Sequence, residues 1–71
     1  MKPLSSLHQK FGERVKHLRK QKKLTQEELA FRIGVDRSYM GFIERGERNP
    51  TLATIGRLAR ILRISPRDLF G

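Results

Sequence analysis

Residues 25–50 read TQEELAFRIGVDRSYMGFIERGERNP. Thr25 and Glu28 have the spacing of a capping box, and Leu24 with Leu29 stands at staple spacing, so a short helix is predicted from Gln26 to Ile33. Gly34 supplies a left-handed stop. Only Val35 then separates it from Asp36, a good N-cap, after which Met40 and Ile43 mark the inner face of another short helix ended by Gly46. Glu47 to Pro50 reads as polar loop.

Outward from this stretch the pattern stays helical, and almost nothing argues for strands. Upstream, Ser6 and Gln9 have capping-box spacing, and Leu7, Phe11, Val15 and Leu18 recur at helical steps, predicting a first helix that ends near Gln21. Downstream, Thr51 is a candidate N-cap, and Leu52, Ile55, Leu58, Ala59 and Leu62 form the apolar stripe of a fourth helix. Arg57, Arg60 and Arg63 lie off that stripe. Ser65, Pro66 and Asp68 then announce a short fifth helix carrying Leu69 and Phe70. The predicted fold class is all-α, a five-helix bundle: an N-terminal arm over residues 1–6, then one domain over residues 7–71.

The chain has 71 residues, enough for one small domain with a modest core and too few for a deep catalytic cleft. Without cysteine, neither disulfides nor thiolate metal sites can supply stability, so apolar packing must. No apolar run approaches the length of a membrane span, and residues 1–6 lack the apolar stretch of a secretory signal, so a cytoplasmic protein is expected. Sixteen Lys and Arg against seven Asp and Glu give a formal charge of +9, which favours a polyanionic partner. DNA, RNA and anionic membrane all meet that description, so charge alone does not choose.

His8 and His17 fall on different sides of the first helix and cannot share a metal. No nucleophile–base–acid set and no paired carboxylates with a pocket stand out, so no enzymatic activity, metal or cofactor is expected. Arg19 follows Val15 by four residues and Glu44 follows Met40 by four, which places opposite charges on otherwise apolar helical faces. A partly buried ion pair is implied.

Two short helices around a tight turn suit a helix that crosses the DNA backbone followed by one that enters the major groove. The stretch from Thr25 to Pro50 resembles the helix-turn-helix of the lambda repressor and Cro family, also called the XRE family. The wider likeness runs from about Phe11 to Phe70, through TQEELA, the turn glycine, IERG and the final SPRDLF. The resemblance implies a lambda repressor-like DNA-binding domain and transcriptional control, and some relatives carry an ion pair at the positions of Arg19 and Glu44. In its short length combined with RSYMGFIERGERNP, the chain is similar to the controller proteins of restriction-modification systems, which regulate their own promoters and the linked endonuclease; it also suits a phage or chromosomal repressor, and the sequence does not distinguish activator from repressor.

On this reading base contacts come from Arg37, Ser38, Gly41 and Phe42, pointing away from Met40 and Ile43. Arg37 is the first choice because a guanidinium can grip guanine O6 and N7 together, with a phosphate clamp as the alternative. Phe42 stands where relatives often carry a polar base reader, so it either meets a thymine methyl or folds back onto Tyr39 or a neighbouring helix. Tyr39 either packs on the bundle or reaches a phosphate. Gln26 sits where the family holds a phosphate, and Arg45, Arg48 and Asn49 can grip the backbone across the groove.

The expected partner is a double-stranded DNA operator, bound as a homodimer, with no membrane and no small-molecule effector. Leu62, Ile64, Leu69 and Phe70 are the candidate dimer interface, closure of the bundle's own core being the alternative for Leu69 and Phe70. Two other classes fit the scaffold: an antitoxin-like protein-interaction module, for which only Phe31 and Phe42 offer an apolar patch, and a basic RNA-binding or coactivator-bridging domain.

Overall fold

In the computed structural model, residues 2–70 are described. They form four α-helices and one 3-10 turn: α1 (Ser6–Gln21), α2 (Gln26–Ile33), α3 (Arg37–Glu44), α4 (Leu52–Leu62) and the turn Pro66–Leu69. The caps explain most of the boundaries. The Thr25 hydroxyl accepts from the Glu28 backbone N–H at 3.0 Å while the Glu28 carboxylate accepts from the Thr25 N–H at 2.8 Å. That backbone bond, and then the Thr25 side chain, hold the Glu28 carboxyl below its ordinary pKa. Asp36 accepts from Tyr39 N–H at 2.7 Å and starts α3, and Thr51 accepts from Thr54 N–H at 3.1 Å and starts α4.

Two elements differ from the sequence expectations. The first helix is capped by Ser5, whose side chain accepts from the His8 N–H, and Ser6 is already helical. Leu4 N–H donates to the Gly46 carbonyl at 2.8 Å, and this long-range tie fixes where the chain enters α1. The expected fifth α-helix is a 3-10 turn. Four residues cannot recover the cost of nucleating an α-helix, and Ser65 makes no side-chain capping bond.

The core gathers Phe11, Val15 and Leu18 of α1, Leu29, Ala30 and Ile33 of α2, Met40 and Ile43 of α3, Leu58, Ala59 and Leu62 of α4, and Leu69. Each fully buried large side chain contributes roughly 1.5–3 kcal/mol from removal of apolar surface from water. The expected stripes overshoot at their ends. Leu7 and Leu52 share helical spacing with core residues but are exposed, Leu52 at 86 %. Leu62 and Leu69, expected at a dimer interface, are buried within the single chain and cannot meet a partner; a 71-residue bundle needs both to close its own end. Ile64 is partly buried and Phe70 half exposed, its ring 5.1 Å from that of Phe11.

The position of α3 depends on two glycines. A side chain at Gly12 would run into the backbone carbonyls of Ile43 and Glu44, so only glycine lets α1 and α3 approach this closely. Gly46 has φ +75°, and a Cβ there would meet the Gln9 and His8 backbone. The loop leaving α3 is thereby seated on the first turn of α1. α3 packs against both α1 and α2, with one long face left uncovered.

Candidate nucleic-acid interface

The inward face of α3 carries Met40, Ile43 and Glu44, all buried, and the opposite face presents Arg37 and Ser38, both exposed. With its side chains an α-helix such as α3 is about 10–12 Å across, which suits a major groove about 12 Å wide.

A chain of polar contacts fixes the N-terminal half of this helix from below. Arg19 and Glu44 form the expected pair, bidentate, with Nε–Oε2 at 2.6 Å and Nη2–Oε1 at 3.1 Å, both residues buried. Arg19 Nη1 also donates to the Leu24 carbonyl at 2.7 Å. Gln26 Nε2 donates to Glu44 Oε1 at 3.0 Å, and Arg37 Nη1 donates to Gln26 Oε1 at 3.2 Å. Arg37 is thus oriented through Gln26 by a buried ion pair. One of its five N–H donors is engaged, and the residue is exposed.

The other expected contact residues divide into two groups. Tyr39 is partly buried and packs against the core, which is the bundle-packing reading of that residue. Gly41 was expected on a bare base-facing surface, but it is buried, and the Arg45 guanidinium lies over it. Phe42 is half-buried and does not rest on Tyr39. Instead the guanidinium carbons of Arg45 and Arg48 lie over its ring, 5.0 and 4.7 Å from the centroid. Asn49 is exposed, and its Oδ1 accepts from His8 Nε2 at 3.1 Å, while Ser5 Oγ lies 2.6 Å from His8 Nδ1. His8 thus links Ser5 at the start of α1 to Asn49 in the loop after α3 through its two ring nitrogens.

Two residues that shape this surface were missed in the sequence. His8, weighed there only as a metal ligand, ties Asn49 to α1. Glu47, read as plain loop, is buried, accepts from Arg45 Nε at 3.2 Å, and donates its backbone N–H to the Phe42 carbonyl at 2.9 Å. The i, i+2 spacing of Arg45 and Glu47 was the available signal, but outside a helix spacing does not fix direction. Phe31, 85 % exposed, stands on α2 beside Glu27, Glu28 and Arg32, apart from the α3 surface.

A helix crossed by a second short helix, exposing a supported arginine at its start and two further arginines at its end, defines a helix-turn-helix DNA-binding protein. The helix-turn-helix family model HTH_3 matches residues 15–69, and the chain belongs to this XRE-type family of DNA-binding transcriptional regulators.

Among solved structures, the restriction-modification controller protein C.AhdI from Aeromonas hydrophila is similar at 52 % identity and a TM-score of 0.88. That match spans 93 % of this chain and 100 % of that one. The control protein C.BamHI of Bacillus amyloliquefaciens is 40 % identical over 60 residues, covering 83 % of this chain and 74 % of the relative. SinR, described as the master regulator for biofilm formation and solved in complex with DNA, matches at 34 % identity and a TM-score of 0.80. It is covered over 98 % of its length by 86 % of this chain. Among the described residues no helix is long and apolar enough to cross a membrane.

Proposed function

We propose that this protein is a sequence-specific regulator that binds an inverted-repeat DNA operator as a homodimer and controls restriction-modification genes, its own among them. The observation that carries the reading is the fork of Arg37, exposed on α3 and held through Gln26 by the buried Arg19–Glu44 pair. Arg37 takes guanine O6 and N7, with Ser38 beside it on the base edges. The N-terminus of α2 with Gln26, and Arg45, Arg48 and Asn49 beyond α3, hold phosphates on either side of the groove. The extent of the likeness to C.AhdI and C.BamHI supports the controller role. The protein acts in the cytoplasm, without enzymatic activity, and its control depends on its own concentration.

A single α3 reaches few bases, so specificity requires a second copy. Ile64 and Phe70 remain available from the expected interface. Phe70 also borders a small apolar hollow lined by Leu7, Phe11, Pro50 and Ile55, and exposed Leu52 lies one turn before Ile55 on α4. Selection from a pool of random duplexes at moderate salt tests the reading. The expected outcome is two inverted half-sites with centres about 34 Å, one helical turn, apart. Recovery without any shared motif contradicts it.

A further inference from the structure

The ring of Phe42 is the common support of two cations. Arg45 and Arg48 each place a guanidinium over it, and Arg45 is fixed from two more directions, by the buried Glu47 carboxylate and by the space above Gly41. A Cβ at Gly41 would stand 3.1 Å from an Arg45 terminal nitrogen, so a larger residue there would push the guanidinium away. The loop bearing both arginines is itself anchored, by Leu4 N–H on the Gly46 carbonyl and by His8 on Asn49.

A cation over an aromatic face is attracted by the ring's quadrupole and consumes no hydrogen-bond acceptor, so N–H donors not engaged elsewhere remain for a ligand. Neither contact with Phe42 therefore competes with a phosphate oxygen. A free arginine loses much rotamer entropy when it is immobilised on a ligand, and one already held loses less.

We propose that Phe42 is a positioning residue: its ring presets Arg45 and Arg48 as a pair of phosphate donors at the C-terminal end of α3, and it does not read a base. The proposal rests on the placement of this loop against the DNA backbone. It gives Phe42 a part in affinity for any duplex and none in the choice of sequence. It also accounts for an aromatic residue at a position expected to carry a polar reader.

The test compares dissociation constants, by fluorescence anisotropy at one salt concentration, on a selected operator and on a scrambled duplex of equal length. Phe42→Leu keeps an apolar side chain without the ring's quadrupole and is expected to weaken both duplexes by the same factor, about three- to tenfold. Phe42→Tyr keeps the ring and is expected to stay within about twofold of the parent. In a background of Arg45→Gln with Arg48→Gln, Phe42→Leu is expected to have no further effect.

A loss confined to the operator, reproduced by replacing its thymines with deoxyuridine, would overturn the proposal in favour of a thymine-methyl contact. A loss that persists in the double-glutamine background, or no loss on either duplex, overturns it as well. Thermal unfolding of Phe42→Leu within a few degrees of the parent assigns the loss to binding. Because the factor is read on scrambled DNA too, the outcome is independent of whether α3 prefers any sequence.

Discussion

Glu44→Ala is expected to lower folding stability by about 3–5 kcal/mol, measured as a shift of the urea or guanidinium midpoint. The magnitude follows from what is left behind. Arg19 is only 7 % exposed and meets Glu44 through two N–H donors, so removal of the carboxylate leaves a guanidinium in a site that water hardly reaches. Gln26 loses its acceptor at the same time. A chain of 71 residues has a total stability of about 4–11 kcal/mol, so the loss is a large share of the total. Replacing both partners by apolar residues, Arg19→Met with Glu44→Leu, should recover most of the loss, because no charge then remains to be desolvated. A loss below about 1 kcal/mol for Glu44→Ala would mean that water screens the pair.

Arg37→Ala is expected to weaken operator binding by about 1–3 kcal/mol, roughly five- to 150-fold, and random duplex by much less. Its side chain is exposed and contributes no core packing, so the unfolding midpoint should hardly move. Arg37→Lys keeps the charge but loses the planar fork and should still lose most of the discrimination at the contacted guanine. An equal loss on operator and random DNA would make Arg37 a phosphate clamp and move base reading to Ser38 and its neighbours.

The elements that depend on adjacent residues were legible in the sequence. The Thr25–Glu28 box, the Gly34 stop and the Asp36 cap are local chemistry, and they place α2 and the start of α3 without tertiary information. The Arg19–Glu44 pair was legible because each charge interrupts an apolar stripe at helical spacing. The Ser6–Gln9 spacing pointed to Ser6 as the cap of α1, and the structure has Ser5 there, next to Leu4 and its bond to Gly46.

The fate of apolar residues near element ends was not legible, since Leu52 and Leu62 fit one stripe equally well. Only the closure of the bundle puts Leu62 inside and leaves Leu52 in solvent. In the contact surface, Phe42, Arg45, Glu47 and Arg48 straddle the end of α3 at Glu44, so no helical period relates them. Their arrangement comes from the positive φ at Gly46 and the burial of Glu47, which periodicity does not encode.

On the proposed function, α3 reads sequence and does not merely attract a polyanion. The most direct test is the ratio of affinities for the selected operator and a scrambled duplex, followed from about 50 to 200 mM salt. Both affinities should fall steeply as salt cations compete with the arginines and lysines for the DNA phosphates, while the ratio stays at roughly a thousandfold or more. A ratio near one at every salt concentration would contradict the account and reduce the protein to a general binder of nucleic acid.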